Sequence, residues 1–235
     1  MSLKVFADLM SQPARAVVIF CRAAGIPHEH VNVRINAGEN KTVEYTKMNQ
    51  LQKIPVIKDG EFVLTESVAM FRYLAREKSV ADHWYPSDSK AQAKVDEYLE
   101  WQHLNTRWLC RAYFRERWLL PMMTKTFDEK KVAEAQKSME ACLDDLEKVW
   151  LARGKRKYIG GGDKISVADI LAVCEMEQPT MAGYDVTNGR KVLRDYTKRV
   201  KMELNPHYDE VSSIVYKMRG KFGGNVPGVY PEEDM

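Results

Sequence analysis

Three short segments hold the residue types from which a reactive or binding site could be assembled. Ser11 stands two residues before Pro13, at the expected start of a helix. Its hydroxyl there can satisfy a backbone donor as an N-cap, or remain available to donate to something bound. Glu66-Ser67 precedes a second helical stretch, so the same two uses are open. It can cap the helix, or it can present a helix start to a carboxylate while Glu66 pairs with a cation. Between them lie Asn40, Lys41 and Lys53, with Ile54-Pro55 directly after. The lysines read either as solvated side chains or as partners of an anion. Further on, Arg107, Arg111 and Arg115 recur at i, i+4 and i+8, one face of a helix and ordinarily a solvated one.

Charge placement favours a small anionic partner. The net charge is only +3, too little to argue for nucleic acid. Residues 1–80 hold 11 Lys and Arg against 8 Asp and Glu, whereas residues 81–235 are balanced at 25 each. The four cysteines (Cys21, Cys110, Cys142 and Cys174) form no CxxC pair and have no histidine at zinc spacing. They read as buried thiols in a reducing compartment, so the cytoplasm is expected and no metal is. No apolar run reaches the length of a membrane span, and Asp8 interrupts any signal-peptide stretch.

The elements that must position these residues differ between the two parts of the chain. Lys4–Ala7 reads as a strand. A helix follows from Pro13 through Val17, Phe20, Cys21 and Ala24, stopped by Gly25 and Pro27. His30–Arg34 alternates as a second strand, and residues 36–47 leave room for one short helix. Two apolar runs flank Lys58-Asp59-Gly60 as a hairpin, and Ser67 is placed to cap a helix carrying Val68, Phe71, Leu74 and Ala75. This order, βαβ then ββα, makes a small α/β layer domain.

From residue 89 on, the pattern is helical throughout. Ser89 to Leu120 contains no glycine or proline and reads as one long helix closed by Pro121. Val132, Ala135, Met139, Leu143, Leu146 and Trp150 mark a second helix. A third begins at Ser166, with Asp169 three residues on and Ile165 and Ile170 at staple positions. Two more helices follow, around Val192–Val200 and Val211–Met218. Residues 221–235, rich in Gly and Pro, read as a loosely held tail.

These features together resemble the cytosolic glutathione S-transferase family, its serine-type theta class in particular. Ser11-Gln12-Pro13-Ala14-Arg15-Ala16 resembles the start of that class's first helix. Lys53-Ile54-Pro55 is similar to its glutathione clamp, Thr65-Glu66-Ser67 to its grip on the γ-glutamyl end, and Ile165–Asp169 to its capping box and staple. The resemblance spans about residues 3–220. It implies an α/β plus all-α architecture: a thioredoxin-like domain over 1–78, a linker over 79–88 and an all-helical domain over 89–220, which would hold the electrophile site and dimer contacts. The activity implied is conjugation of glutathione to a small hydrophobic electrophile. Glutathione is then a co-substrate and no cofactor is needed.

The resemblance also assigns roles residue by residue. Ser11 is the catalytic serine whose hydroxyl stabilises the glutathione thiolate; Phe6 lacks the proton that tyrosine-dependent classes donate from this region. Asn40, Lys41, Lys53, Ile54, Glu66, Ser67 and Arg107 are the glutathione-binding set, although the class usually has a histidine where Asn40 stands. Pro55 is expected in the cis form, with Ser166 and Asp169 structural. Trp108, Trp118, Met122 and Met123 are candidates for the electrophile pocket or for core and dimer contacts. A homodimer is implied, with residues 104–107 reaching the neighbouring site; no nucleic acid or membrane partner is. Two alternatives stay open: another glutathione-dependent reaction, isomerisation or peroxide reduction, and a non-catalytic binding or assembly module.

Overall fold

A computed structural model describes residues 2–222. Strand β1 (Leu3–Ala7) alternates as its sequence requires: Leu3, Val5 and Ala7 enter one core, and Lys4 and Phe6 face the opposite side of the sheet. Helix α1 (Gln12–Ala23) follows with Pro13 in its first turn, where a missing N–H costs nothing. Strand β2 spans His28–Asn32, two residues earlier than the alternation over His30–Arg34 predicts. Parallel pairing with β1 begins at Leu3–His28, directly after Pro27. Arg34 instead turns the chain, with its backbone N–H and its Nε each donating to the Glu39 carboxylate at 2.7 Å.

Two single 3-10 turns, over 35–37 and 39–41, lead into the short helix α2 (Val43–Met48). Strands β3 (Val56–Asp59) and β4 (Phe62–Leu64) form the expected hairpin. Asp59 pairs with Phe62, so the loop is Gly60-Glu61, with Gly60 at φ +64°, a conformation glycine adopts without penalty. Helix α3 (Ser67–Glu77) closes this part. The sheet order is β2-β1-β3-β4, parallel only between β1 and β2. Helices α1 and α3 cover one face. On the other, α2 lays Tyr45 and Met48 over Phe6, Val33 and Val56.

The single long helix expected from Ser89 to Leu120 is instead interrupted twice. Helix α4 (Ser89–Trp101) ends where the Asn105 side chain donates to the Trp101 carbonyl at 2.7 Å, and Asn105 itself leaves the helical region. Asparagine competes in this way with the backbone ladder, and no Gly or Pro is needed. Helix α5 (Thr106–Phe114) then passes into one widened turn over Arg115–Leu119, and α6 (Leu120–Thr124) continues beyond Pro121. Pro121 therefore does not close the helix. Its ring and missing N–H are accommodated by the widened turn just before it.

Helix α7 (Glu129–Asp145) runs into a second widened turn over Leu146–Trp150. Helix α8 (Val167–Glu177) is buried along its whole length and packs against α1, α4 and α5. At its start the Asp169 carboxylate accepts from the Ser166 N–H (2.9 Å) and the Ser166 hydroxyl (3.1 Å). Helices α9 (Lys191–Leu204) and α10 (His207–Phe222) complete the described chain, α9 also packing on α8 and α10 on α1. Helix α10 thus extends two residues into the segment read as a tail; the rest of that segment lies outside the described residues. All four cysteines are free and buried, as their spacing predicts.

Candidate functional site

Where β3 begins, α3 begins and α4 gives way to α5, a cleft of about 150 Å³ opens. One wall is Lys53, Ile54 and Pro55, the next is Thr65, Glu66 and Ser67, and the third is His103 and Arg107. Pro13 of α1, with Asn49 and Leu51, completes it. A larger cavity of about 530 Å³ between α8, α9 and α10 contains none of the residues singled out in the sequence. We place the candidate site in the smaller cleft because the chemistry-bearing residues converge there.

The Gln52–Ile54 loop is held from behind by side chains of the preceding segment. Asn40 donates to the Gln52 carbonyl at 2.7 Å, and the Tyr45 hydroxyl and Asn49 amide both donate to the Lys53 carbonyl at 2.8 Å. Burial pushes the Tyr45 phenol up to about 12, so it remains a donor. Asn40 is therefore buried behind the loop and does not reach the cleft wall, and Lys41 is exposed outside the wall as well. The Ile54–Pro55 bond is cis. Neither the N–H nor the C=O of Ile54 has a hydrogen-bond partner among the described residues.

Helix α3 begins one residue earlier than a Ser67 cap predicts. Ser67 is the first residue of α3, and Glu66 stands at the cap position without capping. Glu66 has φ +66°, a conformation costing about 1–3 kcal/mol in a residue with a Cβ. It directs an exposed carboxylate to the cleft.

Ser11 occupies the N-cap position of α1, yet its side chain makes no capping bond and has no hydrogen-bond partner among the described residues. It is partly exposed and is not part of the cleft wall, whereas Pro13, two residues along, is. The Ser11 N–H donates to the Asp8 carbonyl at 2.9 Å, which fixes the loop but leaves the hydroxyl uncommitted.

Arg107 lines the cleft of its own chain and pairs with Glu175 of α8 at 3.1 Å. Glu175 is fully buried: burial pushes its carboxyl up, and Arg107 opposes that shift. Arg111 lies on an exposed part of α5; partial desolvation and the charges of Arg107 and Arg115 lower its pKa. Arg115 pairs with Glu116. Trp118 is a core residue stacked on Phe114 at 5.3 Å, while Trp108 and Met123 are exposed. Leu104, next to this wall, is exposed too.

Sequence reasoning missed His103 and Glu175. His103 had no visible signal because the break between α4 and α5 that turns it inward had none. Glu175 sits in an apolar run (Ile170 to Met176), and a lone carboxylate there is the signal that could have exposed it. Among the described residues no group of three or more His, Cys, Asp or Glu could hold a metal ion. Nor is any helix among them long and apolar enough to cross a membrane.

Comparison with known proteins gives the family and the fold. Residues 1–76 match the family described as glutathione S-transferase, N-terminal domain, and residues 107–202 match the corresponding C-terminal domain. The chain is 35% identical over 221 residues to mouse glutathione S-transferase theta-3, covering 93% of this chain and 90% of that protein. The apo structure of human glutathione S-transferase T1-1 superposes with a TM-score of 0.89 at 33% identity, covering 97% of this chain and 95% of that one. Human glutathione transferase theta-2, solved with glutathione, superposes with a TM-score of 0.87 at 34% identity, covering 97% and 96%.

Proposed function

Because this chain belongs to the glutathione S-transferase family, we propose that it conjugates the thiolate of glutathione to small hydrophobic electrophiles, with Ser11 stabilising that thiolate. One observation carries the reading: Lys53, Ile54, Glu66, Ser67 and Arg107 converge on one cleft beside the start of α1, where the Ser11 hydroxyl is uncommitted. The human theta-2 relative solved with glutathione supports the choice of co-substrate.

Each part of glutathione has a complementary group. Its γ-glutamyl carboxylate meets the N–H and hydroxyl of Ser67 at the start of α3, and its ammonium meets Glu66. Its cysteinyl backbone pairs with the free N–H and C=O of Ile54, as an added strand would. Lys53 and Lys41 supply charge for the glycyl carboxylate, and Asn40 acts through the Gln52 carbonyl it holds. Arg107 supplies positive charge from the opposite wall.

The thiol then needs ionising. A free thiol titrates near 8.5, so about 3% is thiolate at pH 7, and lowering it by two units requires about 2.7 kcal/mol. A hydroxyl donating to the thiolate contributes about 1.5–3 kcal/mol and the helix start about 0.3–1 more. The sulfur lone pair forms the new S–C bond and the leaving group departs with its electron pair. Holding both reactants together supplies much of the remaining acceleration. A homodimer, a cytoplasmic location and the division at 78 and 89 belong to the same proposal.

Calorimetric titration with glutathione, followed by mass detection of the conjugate formed with a benzyl halide, tests it. Binding with turnover supports it. Binding without conjugation favours an assembly module, and absence of binding overturns it.

Glu66 gives a second check with effects of opposite sign. Glu66→Gly removes the φ +66° strain, so the unliganded protein should gain about 1 kcal/mol in thermal unfolding. The same change removes the ammonium's partner, a charge-assisted bond of about 1.5–3 kcal/mol, so glutathione affinity should fall about 10–100-fold.

A further inference from the structure

We infer that Arg15 is a positioning residue for Ser11, and that the last turn of α8 with the residue that caps it, Cys174–Gln178, is the base from which both Ser11 and Arg107 are held. The inference rests on the proposed role of Ser11 and concerns what keeps that hydroxyl in place.

Arg15 is a charged side chain with no exposed surface at all. Its Nη1 donates backwards to the carbonyls of Leu9 (2.9 Å) and Met10 (3.2 Å), the two residues immediately before Ser11. Its Nη2 donates in the other direction, to the Gln178 side-chain oxygen (3.0 Å) and the Cys174 carbonyl (3.3 Å). One guanidinium thus bridges the serine loop to α8. The far side of the loop is fixed independently by Asp8, whose carboxylate accepts from Met10 N–H at 2.9 Å and Ile35 N–H at 3.0 Å. Ser11 is clamped between a carboxylate on one side and a guanidinium on the other.

The same turn of α8 carries Glu175, which pairs with Arg107 in the cleft. Cys174 and Gln178 are one helical turn apart and Glu175 lies between them, so the distance from Ser11 to Arg107 is set through a single rigid segment. Burying Arg15 is costly unless its charge is met. Four acceptors meet it, and Glu175 and Glu177 of α8 lie close enough for its charge to act on both carboxyls, opposing the rise that burial causes at Glu175 and adding to the Lys201 charge at Glu177. A lysine could not replace it, since a point charge cannot donate along two directions in a fixed plane. A hydroxyl hydrogen bond weakens steeply with distance and angle, so a loop that drifts would lose the thiolate contact while the cleft kept its shape.

The test uses Arg15→Lys, which keeps the charge, and Gln178→Met, which removes one acceptor at similar volume and carries the test if Arg15→Lys does not fold. Two quantities are read in each: amide hydrogen exchange over residues 9–11 without ligand, and the titration midpoint of the glutathione thiol when bound. We expect exchange about tenfold faster and a midpoint raised about one unit, which is about a five- to eightfold loss of thiolate at pH 6.5. Glutathione affinity should stay within about threefold, and activity should recover above the new midpoint. Unchanged exchange, or faster exchange with an unmoved midpoint, would make Arg15 a packing residue only and overturn the inference. If Ser11→Ala also leaves the midpoint unmoved, the serine reading itself fails and the positioning role falls with it. If Ser11→Ala moves it and these two variants do not, this inference alone fails.

Discussion

Replacing Ser11 with alanine should lower kcat/KM for conjugation at pH 6.5 by about 10–100-fold, from the loss of one hydrogen bond to a charged sulfur worth about 1.5–3 kcal/mol. The loss should be unequal across pH. In the variant the bound thiol reverts toward its ordinary value near 8.5, so the deficit is largest at pH 6.5 and below, shrinks as pH rises from the wild-type midpoint toward 8.5, and is gone above that value. Affinity for glutathione should change little, because Ser11 is not part of the cleft wall that would grip the peptide. The Ser11 side chain makes no capping bond, so the substitution should also leave thermal stability within about 0.5 kcal/mol. A pH–rate profile of both proteins, with glutathione saturating, checks the size and pH dependence of the loss, while calorimetric titration and thermal unfolding check affinity and stability. An equal deficit at every pH would point to misplacement of the substrate rather than to ionisation.

Asp169→Ala should produce the largest stability change of any single substitution considered. The carboxylate is wholly buried and accepts four hydrogen bonds. Oδ1 takes the Ile159 N–H and the Tyr196 hydroxyl, each at 2.9 Å, and Oδ2 takes the Ser166 N–H at 2.9 Å and its hydroxyl at 3.1 Å. Burial pushes the Asp169 carboxyl up and these four donors pull it back. Truncation strands four donors at once, each costing about 1–3 kcal/mol when unsatisfied, though relaxation keeps the sum from being additive. A loss of about 3–5 kcal/mol is expected, or a fall of about 10–15 °C in Tm for a chain of this size. Denaturant unfolding measures it. Because α8 also carries the Arg15 and Arg107 anchors, activity should fall with the folded fraction, with KM unchanged in the molecules that remain folded.

The parts of the fold that are readable from sequence are those fixed by a local backbone requirement. Pro13 suits a first turn, Gly25 follows the end of α1 with φ +68°, Gly60 allows the hairpin, and Ser166 with Asp169 starts α8. Most residues around the cleft are readable through the resemblance, since Lys53–Pro55 and Thr65–Ser67 are short motifs in sequence order. What stayed hidden depends on distant partners. Arg15 and Glu175 look like ordinary helix charges until α1, α5 and α8 meet; their partners are 163 and 68 residues away. The break after Trp101 rests on one asparagine amide finding a carbonyl, which the absence of Gly and Pro concealed. Serine's preference for cap positions pointed to Ser67, but the chain entering α3 places Glu66 there against its own backbone preference. Asn40 enters the glutathione-binding set only through the resemblance, and the packing that turns it behind the loop, onto the Gln52 carbonyl, has no local signal in the sequence.

The account turns on whether this protein ionises bound glutathione, and the most direct measurement is the ultraviolet absorbance of the thiolate followed against pH with glutathione saturating the protein. The account predicts a midpoint at or below about pH 6.5–7, some two units under the free thiol. A bound thiol that titrates near 8.5, as it does in water, would contradict it.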